Sequence, residues 1–453
     1  MIELMPHQEY TATKWKERKR MFDHSDPGTG KTIASLTGYH ASICGRLLAI
    51  APLTILRPSW AADIDKAFPG FTWAVAHGSE RKRKAAFDSG ADIVLLNHDG
   101  VKWVVDNTHV LDGFSHCVVD EYTAFKNRTA ARSKAMYAIS GFFEYLNMLS
   151  GTPNSNKITD IWYPAMMVDG GKRLGDNFFK FQQETCEGRP VPGAPNPRAM
   201  EWTEKEGARD AVAILLQDIV VRHQLKDVPA NTRYTMHVDM PTSVMRAYRK
   251  LERESVLMVE GSGVINAVHA GSKIRKILQL LSGAVYDVDG NVVKVHPHRY
   301  ELVIELIQAR EQCVVAFNYR HEREALTALA RRKGIPFGVI DGAVSPGDRQ
   351  AAVDQFQNNE LKVIFAHPQS AGHGLTLTEG TTTIWASPTY NAEHFQQFNA
   401  RIYRKGQTKE TETICICATG TKEADVYDKL DGKLTRMADL LAVFAEHTRQ
   451  ETA

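Results

Sequence analysis

Nowhere among the 453 residues is there an apolar run long enough to cross a bilayer. Residues 1–20 are polar and charged and lack the apolar core of a secretory signal, so the expected setting is soluble and cytoplasmic. Charge of one sign is scarce as well: 55 Lys and Arg against 53 Asp and Glu leave a net charge of +2. That excludes a uniformly basic nucleic-acid binder, and any such contact has to come from a local groove. Cysteine is sparse. Of the six, only Cys415 and Cys417 lie close together, and alternation on a strand points both the same way without metal-ligand spacing. They read as reduced core residues. There is no internal repeat and no low-complexity tract, and the lack of a metal-nuclease constellation argues against a self-contained restriction enzyme while leaving open the motor of one.

What is present is a chain too long for one core, so two domains are expected. Short apolar strands recur at 47–51, 72–76, 93–96, 117–120 and 146–149, with helical stretches between them. The pattern restarts at 313–317, 337–340, 363–366, 383–386 and 413–417. Alternation of this kind implies parallel sheets with crossover helices, an α/β fold of two doubly wound lobes. Ser345-Pro346 sets a helix start, serine as cap and proline at the first helical position. Residues 1–232 are assigned to the first lobe, with a helical insertion at about 158–225 that includes a helical stretch 210–221. The second lobe takes 233–453, with an insertion at about 244–300: a helix over 244–258 and a hairpin over 285–295 turning at Asp289-Gly290. Proline and glycine at 188–197 mark a loop. The basic runs 14–20 and 81–84 are expected on solvated helix faces.

Three motifs carry chemistry. In Ser25-Asp26-Pro27-Gly28-Thr29-Gly30-Lys31-Thr32, glycines let backbone N–H groups curl around phosphate oxygens. Lys31 brings a mobile positive charge to the terminal phosphates, and Thr32 offers a hydroxyl to magnesium. The strict pattern has glycine where Ser25 stands, and the strand expected before it, 21–24, is short and polar. Asp120-Glu121 closes an apolar strand and is expected at its carboxyl end, where open parallel sheets bind ligands. Asp120 then holds magnesium, and Glu121 orients and deprotonates the attacking water. Gln397, Arg401 and Arg404 fall at i, i+4 and i+7, sharing one face if they lie on a helix, and two guanidinium groups suit a phosphate whose charge grows in the transition state. Each motif has a plain alternative: a glycine-rich turn, a solvated acidic turn, a basic helix face. Together they read as the parts that hold, hydrolyse and sense a nucleoside triphosphate, with the nucleotide clamped between the lobes.

From Met5 to about Cys417 these segments resemble superfamily-two DEAD/DEAH-box helicases, in particular the Swi/Snf-like branch and its short bacteriophage form. The resemblance implies two RecA-like lobes. Met5-Pro6-His7-Gln8 is similar to the adenine-reading motif, implying that Gln8 contacts the base. Asp26 to Thr32 is similar to the first nucleotide motif. Ala51-Pro52-Leu53-Thr54 with Trp60 looks like the segment that touches DNA, so Pro52 and Thr54 are implied contacts. Leu95-Leu96-Asn97-His98 occupies the next backbone-contacting position. Asp120-Glu121 through Lys126-Asn127 fits the acidic motif, and Ser150-Gly151-Thr152-Pro153 with Asn156 the coupling motif. In the second lobe Asp341-Gly342 with Arg349 and Phe356 resembles the branch's glycine-arginine signature. Ser370-Ala371-Gly372-His373-Gly374-Leu375 resembles the motif meeting both phosphate backbone and nucleotide. Gln397, Arg401, Arg404, Gly406 and Gln407 match the last motif, with Arg401 and Arg404 as arginine fingers. Asn318, Ser370, Ala371, Gly372 and Thr152 are further implied nucleic-acid contacts, and Gly374 a nucleotide contact.

Departures are Tyr122-Thr123, where alanine-histidine is usual, Thr376, where asparagine is common, and His373, which interrupts a glycine pair. The expected function is a DNA-stimulated ATPase that translocates on or remodels duplex or branched DNA, working as a single copy. A loader or a replication or recombination partner is left open. Two alternatives stand beside it: a strand-separating DNA or RNA helicase, and a nucleotide-dependent DNA-binding or assembly factor with weak hydrolysis.

Overall fold

The computed structural model describes all residues except 1–2, 154–156, 192–198, 226–227, 255, 259–263, 267–269, 288, 373 and 453. Asn156, His373 and the stretch 192–197 of the expected loop therefore lie outside the described residues. The chain divides into two compact units, residues 1–226 together with 433–453, and residues 227–432. Sequence reading gives all of 233–453 to the second lobe; the structure returns 433–453 to the first. The reason is one long helix, Lys422–Thr452, whose Met437, Leu440, Leu441 and Phe444 are buried in the first unit's core. Among the described residues no helix is long and apolar enough to cross a membrane.

The first unit is built on seven parallel strands in the order Trp73–Ala76, Ile93–Asn97, Arg46–Ala51, Phe114–Asp120, Tyr145–Leu149, Arg20–Asp23, Val220–Val221. Alternate residues feed two cores. Phe22, Leu48, Ile50, Val94, Val119 and Met148 face one side, and Met21, Leu47, Ala49, Leu95, Val118 and Leu149 the other. Burial on both faces is why these strands read as continuous apolar runs. Register aligns their carboxyl ends: Leu149 pairs with both Asp120 and Asp23. The chain therefore leaves three neighbouring strands at the same level, into the phosphate loop, the acidic pair and the coupling motif.

The second unit carries six parallel strands in the order Asn231–Val238, Thr411–Ala418, Thr382–Trp385, Cys313–Ala316, Val363–Ala366, Phe337–Ile340. Ser345 caps Pro346–Gln357, its Oγ accepting from Asp348 N at 3.2 Å. The expected hairpin is present, Ala284–Tyr286 pairing antiparallel with Val292–Lys294.

Several local expectations need correction. The helix read over 210–221 is Ala208–Leu216, and Val220–Val221 is instead the edge strand beside Arg20–Asp23. The helix read to 258 stops at Glu254, and Val256–Met258 is a strand paired with Val264–Asn266. Part of the expected loop is a hairpin, Cys186–Pro190 against Met200–Glu204. The basic run 14–20 is not a free cationic face: Arg20 donates to Val168 O, Ser140 O, Phe143 O and Met167 O, and Arg18 pairs with Glu451 at 2.7 Å. Ser140, Met167 and Val168 lie in the last turns of helices, whose carbonyls lack intrahelical donors, so the guanidinium serves the fold.

Candidate nucleotide site

The phosphate loop turns on two glycines in the left-handed region, Gly28 at φ +88° and Gly30 at φ +80°, and runs straight into the helix Lys31–Ala41. A Cβ on Gly30 would come within 2.2 Å of Gln8 Nε2. Only glycine allows both the backbone and that close approach. Gln8 is fixed in turn, its Nε2 donating to Thr29 O at 3.2 Å and its Oε1 accepting from Met5 N at 3.0 Å. His7 Nε2 lies 2.8 Å from the same Thr29 carbonyl. The Lys31 ammonium donates to Ser25 O at 2.7 Å and Asp26 O at 3.2 Å, so it sits inside the curl of its own loop. Thr32 is half-buried on the first turn of that helix.

Ser25, the departure from the strict pattern, has a use. Its Oγ accepts from His223 N at 3.0 Å, a bond that glycine cannot make. Asp26, implied as a nucleotide contact, spends its carboxylate within the protein, on Arg222 at 2.6 Å and Leu225 N at 2.8 Å. Its part is to hold the loop's near side.

Asp120 ends its strand half-buried, with Oδ2 accepting from the indole N–H of Trp60 at 3.0 Å. Burial pushes its carboxyl above the ordinary range, while the Trp60 bond and the Lys31 charge pull it down. Trp60, expected among the DNA-touching residues, is fully buried, because the wide turn Leu56–Ala61 directs it inward onto this carboxylate. His98, an implied DNA contact, is half-buried with Nε2 2.7 Å from Asp120 O, and burial lowers its pKa to about 4. A neutral ring gripping a main-chain carbonyl is a support for the acidic pair. Glu121 follows at φ 52° and ψ 53°, the left-handed region rarely adopted by residues other than glycine. Such conformations cost of order 1–3 kcal/mol and gather at functional sites. Ser150 Oγ reaches Glu121 Oε2 at 3.4 Å.

Tyr122 and Thr123 are both buried. Tyr122 Oη lies 2.8 Å from His24 Nε2, the residue just before the phosphate loop, so the departure packs the acidic motif against that loop's root. Burial and the nearby Arg222 charge hold the His24 pKa well below the usual imidazole range. The coupling motif closes the arrangement: a Cβ on Gly151 would lie 2.9 Å from Pro27 Cδ. Thr152 is buried beside it, its N donating to Ser150 Oγ at 3.1 Å. Among the other implied contacts in this unit, Thr54 is exposed, Pro52 is half-buried, and Asn97 Oδ1 lies 3.3 Å from His77 Nδ1.

In the second unit, Arg401 and Arg404 do not share a helix face. The helix Ala392–Asn399 ends before them, and Arg401 Nε caps its carbonyl at Gln397 O, 2.8 Å away. The two guanidiniums converge by another route, both donating to Leu375 O, at 3.1 and 2.9 Å. Gln397 is buried against Gly372, where a Cβ would meet its Oε1 at 3.1 Å. Ala371 is buried, Ser370 half-buried and Gly374 exposed at φ +70°. The last two motifs thus form one assembly within this unit. Asn318 spends its amide on Ser387 O and Oγ at 3.1 and 3.0 Å.

Glu322 holds that same turn, Oε2 accepting from Asn318 N at 2.7 Å and Tyr319 N at 3.0 Å. Burial lifts its pKa to about 7. Because the folded state holds this proton more tightly than the unfolded chain, the group's stabilisation is complete below its unfolded pKa. It is lost as pH rises from about 4.5 through about 7, by roughly 3 kcal/mol in all. Glu322→Gln keeps an acceptor oxygen and cannot ionise. Its urea midpoint is expected to fall less than the wild-type midpoint between pH 5 and 8, and parallel profiles would contradict this.

Sequence reasoning missed Arg222 and His24. Arg222 was hidden because Val220-Val221 reads as the end of a helix, so nothing placed the next residue beside the phosphate loop.

The description SNF2-related domain matches residues 10–284, more than half of the chain, and the description Helicase conserved C-terminal domain matches 298–406. Protein p41 of Acyrthosiphon pisum secondary endosymbiont phage 1 is 26% identical over 439 residues, 90% of this chain and 89% of that one. Chromodomain-helicase-DNA-binding protein 1-like of Mus musculus is 24% identical over 422 residues, 86% of this chain but 44% of its own length. The chain thus spans nearly all of the phage protein and under half of the mouse protein. A solved Sulfolobus solfataricus SWI2/SNF2 ATPase core in complex with dsDNA is 19% identical, with TM-score 0.43, covering 97% of this chain and 93% of that one. On the extent of the first match, with the helicase C-terminal domain following it in order, the chain belongs to the SNF2-related family.

Proposed function

We propose that this protein is a DNA-stimulated ATPase that couples hydrolysis to translocation on, or remodelling of, duplex or branched DNA. One observation carries the reading: phosphate loop, acidic pair and coupling motif leave three adjacent parallel strands in register. The donor set suits a triphosphate and its magnesium, with glycine-shaped N–H groups at a helix start, a lysine among them, and a hydroxyl and carboxylate in Thr32 and Asp120. Bound magnesium supplies neutralisation of phosphate charge. Lys31 grips the terminal phosphates, and Gln8 reads the base. Glu121 takes the proton of the attacking water, its carboxylate steadied by Ser150. Arg401 and Arg404, with Gln397 behind them, supply positive charge to the phosphoryl group in transfer. Pro52, Thr54, Asn97, Ser370 and Gly372 are the proposed backbone contacts to DNA, with His98, Thr152, Asn318 and Ala371 supporting them from within. A relative named as a helicase and DNA-binding protein supports DNA as the partner.

The test is ATP turnover with duplex, forked and single-stranded DNA and with RNA. Stimulation of about tenfold or more is expected with duplex or forked DNA, falling steeply as salt rises from 50 to 200 mM because phosphate contacts release counterions. Turnover indifferent to DNA would sink the reading. Displacement of a labelled strand would favour an unwinding helicase instead.

A further inference from the structure

The near side of the phosphate loop is held by a segment to which no role has been assigned. Residues 221–225 run beside residues 24–26 and bond to them at each step. His24 N donates to Val221 O at 2.8 Å, His223 N to Ser25 Oγ at 3.0 Å, Asp26 N to His223 O at 2.9 Å, and Leu225 N to Asp26 Oδ2 at 2.8 Å. Arg222 is at the centre. Its side chain is buried, and its guanidinium donates both to His24 O and to Asp26 Oδ1, spanning the root of the loop with two bonds. A lysine there would offer a point charge on a flexible stem in place of this planar fork.

Arg222 is itself held by the helix Lys422–Thr452. Its main-chain N donates to Thr448 Oγ1 at 3.0 Å. One turn earlier Phe444 packs edge-on to the His24 ring, at 5.5 Å between centroids. One turn later Glu451 accepts from Tyr10 Oη at 2.6 Å and from Arg18 at 2.7 Å. Tyr10 and Arg18 belong to Pro6–Arg18, the helix that also carries Gln8. Residues 444, 448 and 451 fall at i, i+4 and i+7, so a single helix face touches both supports of the loop.

We propose that Arg222 is a positioning residue for the triphosphate site, acting through Asp26, and that the helix face of Phe444, Thr448 and Glu451 sets it in place. This deepens the ATPase reading and rests on it. Ordering a loop before the ligand arrives removes that cost from binding, so loosening it appears in nucleotide affinity.

The experiment uses the full chain and magnesium ADP carrying a fluorescent N-methylanthraniloyl group, well below the melting temperature. Arg222→Lys is expected to raise the dissociation constant about tenfold. Asp26→Asn should do the same, and the double variant should be no weaker than the worse single one. A purely structural role would lower the melting temperature and leave the affinity of the folded fraction within twofold, and that result overturns the proposal. So does a double variant whose effects multiply. Thr448→Val removes one hydroxyl at constant volume and guards against a variant that fails to fold. Amides of residues 24–30 are expected to exchange hydrogen at least threefold faster in it, and unchanged protection overturns the link to the helix. If wild type binds no magnesium nucleotide, the ATPase reading falls, and the positioning role falls with it even where Thr448→Val loosens the loop.

Discussion

Lys31→Ala is expected to reduce DNA-stimulated ATP turnover by about 10³-fold or more, with little change in melting temperature. The size follows from the lysine's position. Its ammonium rests on Ser25 O and Asp26 O within the loop whose N–H groups are shaped for phosphate, so it needs little rearrangement to meet the terminal phosphates. Preorganised charge of this kind is worth about 10²–10³ in rate for a single donor, and charge on a phosphoryl group in transfer about 10³–10⁵. The small stability effect follows equally: Lys31 is only half-buried and begins its helix, so truncating it opens no cavity in the core. Phosphate release at saturating duplex DNA measures the first, and a thermal melt the second. Turnover at the wild-type rate would refute the assignment of the loop.

Much of this architecture was legible because its central strands are buried on both faces and so appear as short apolar runs. Leu47 to Ala51 and Val363 to Ala366 needed no context to be read. What escaped has definite causes. Asn231–Val238 is an edge strand with no fully buried position; Tyr234, Met236 and Val238 alternate toward the core, but among polar neighbours they form no apolar run, and Thr411–Ala418 pairs with the strand along its whole length. Val220–Val221 is too short to register, yet it brings Arg222 to the phosphate loop. The residues 400–404 contain no glycine or proline to announce that the helix has ended; the side chain of Arg401 caps it instead. At the site, the glycines, Lys31 and the acidic pair were readable from chemistry alone. Trp60 and His98 were assigned to DNA by resemblance, and each serves Asp120 from inside, a role that depends on which way one turn faces.

Arg299→Met is expected to destabilise the second unit by about 3–5 kcal/mol, the usual cost of leaving one member of a buried ion pair alone. Arg299 and Glu423 are both fully buried and 2.7 Å apart. The guanidinium also donates to Leu281 O and Ala386 O, each at 3.0 Å, and the carboxylate accepts from Ala418 N at 2.7 Å. Replacing the arginine therefore strands a charge and two carbonyl oxygens where water does not reach. Adding Glu423→Gln removes the stranded charge while keeping an oxygen for Ala418 N, so the double variant should recover a substantial part of the loss. Urea unfolding of the two variants measures this, and a double variant less stable than Arg299→Met would show that charge is not the cause.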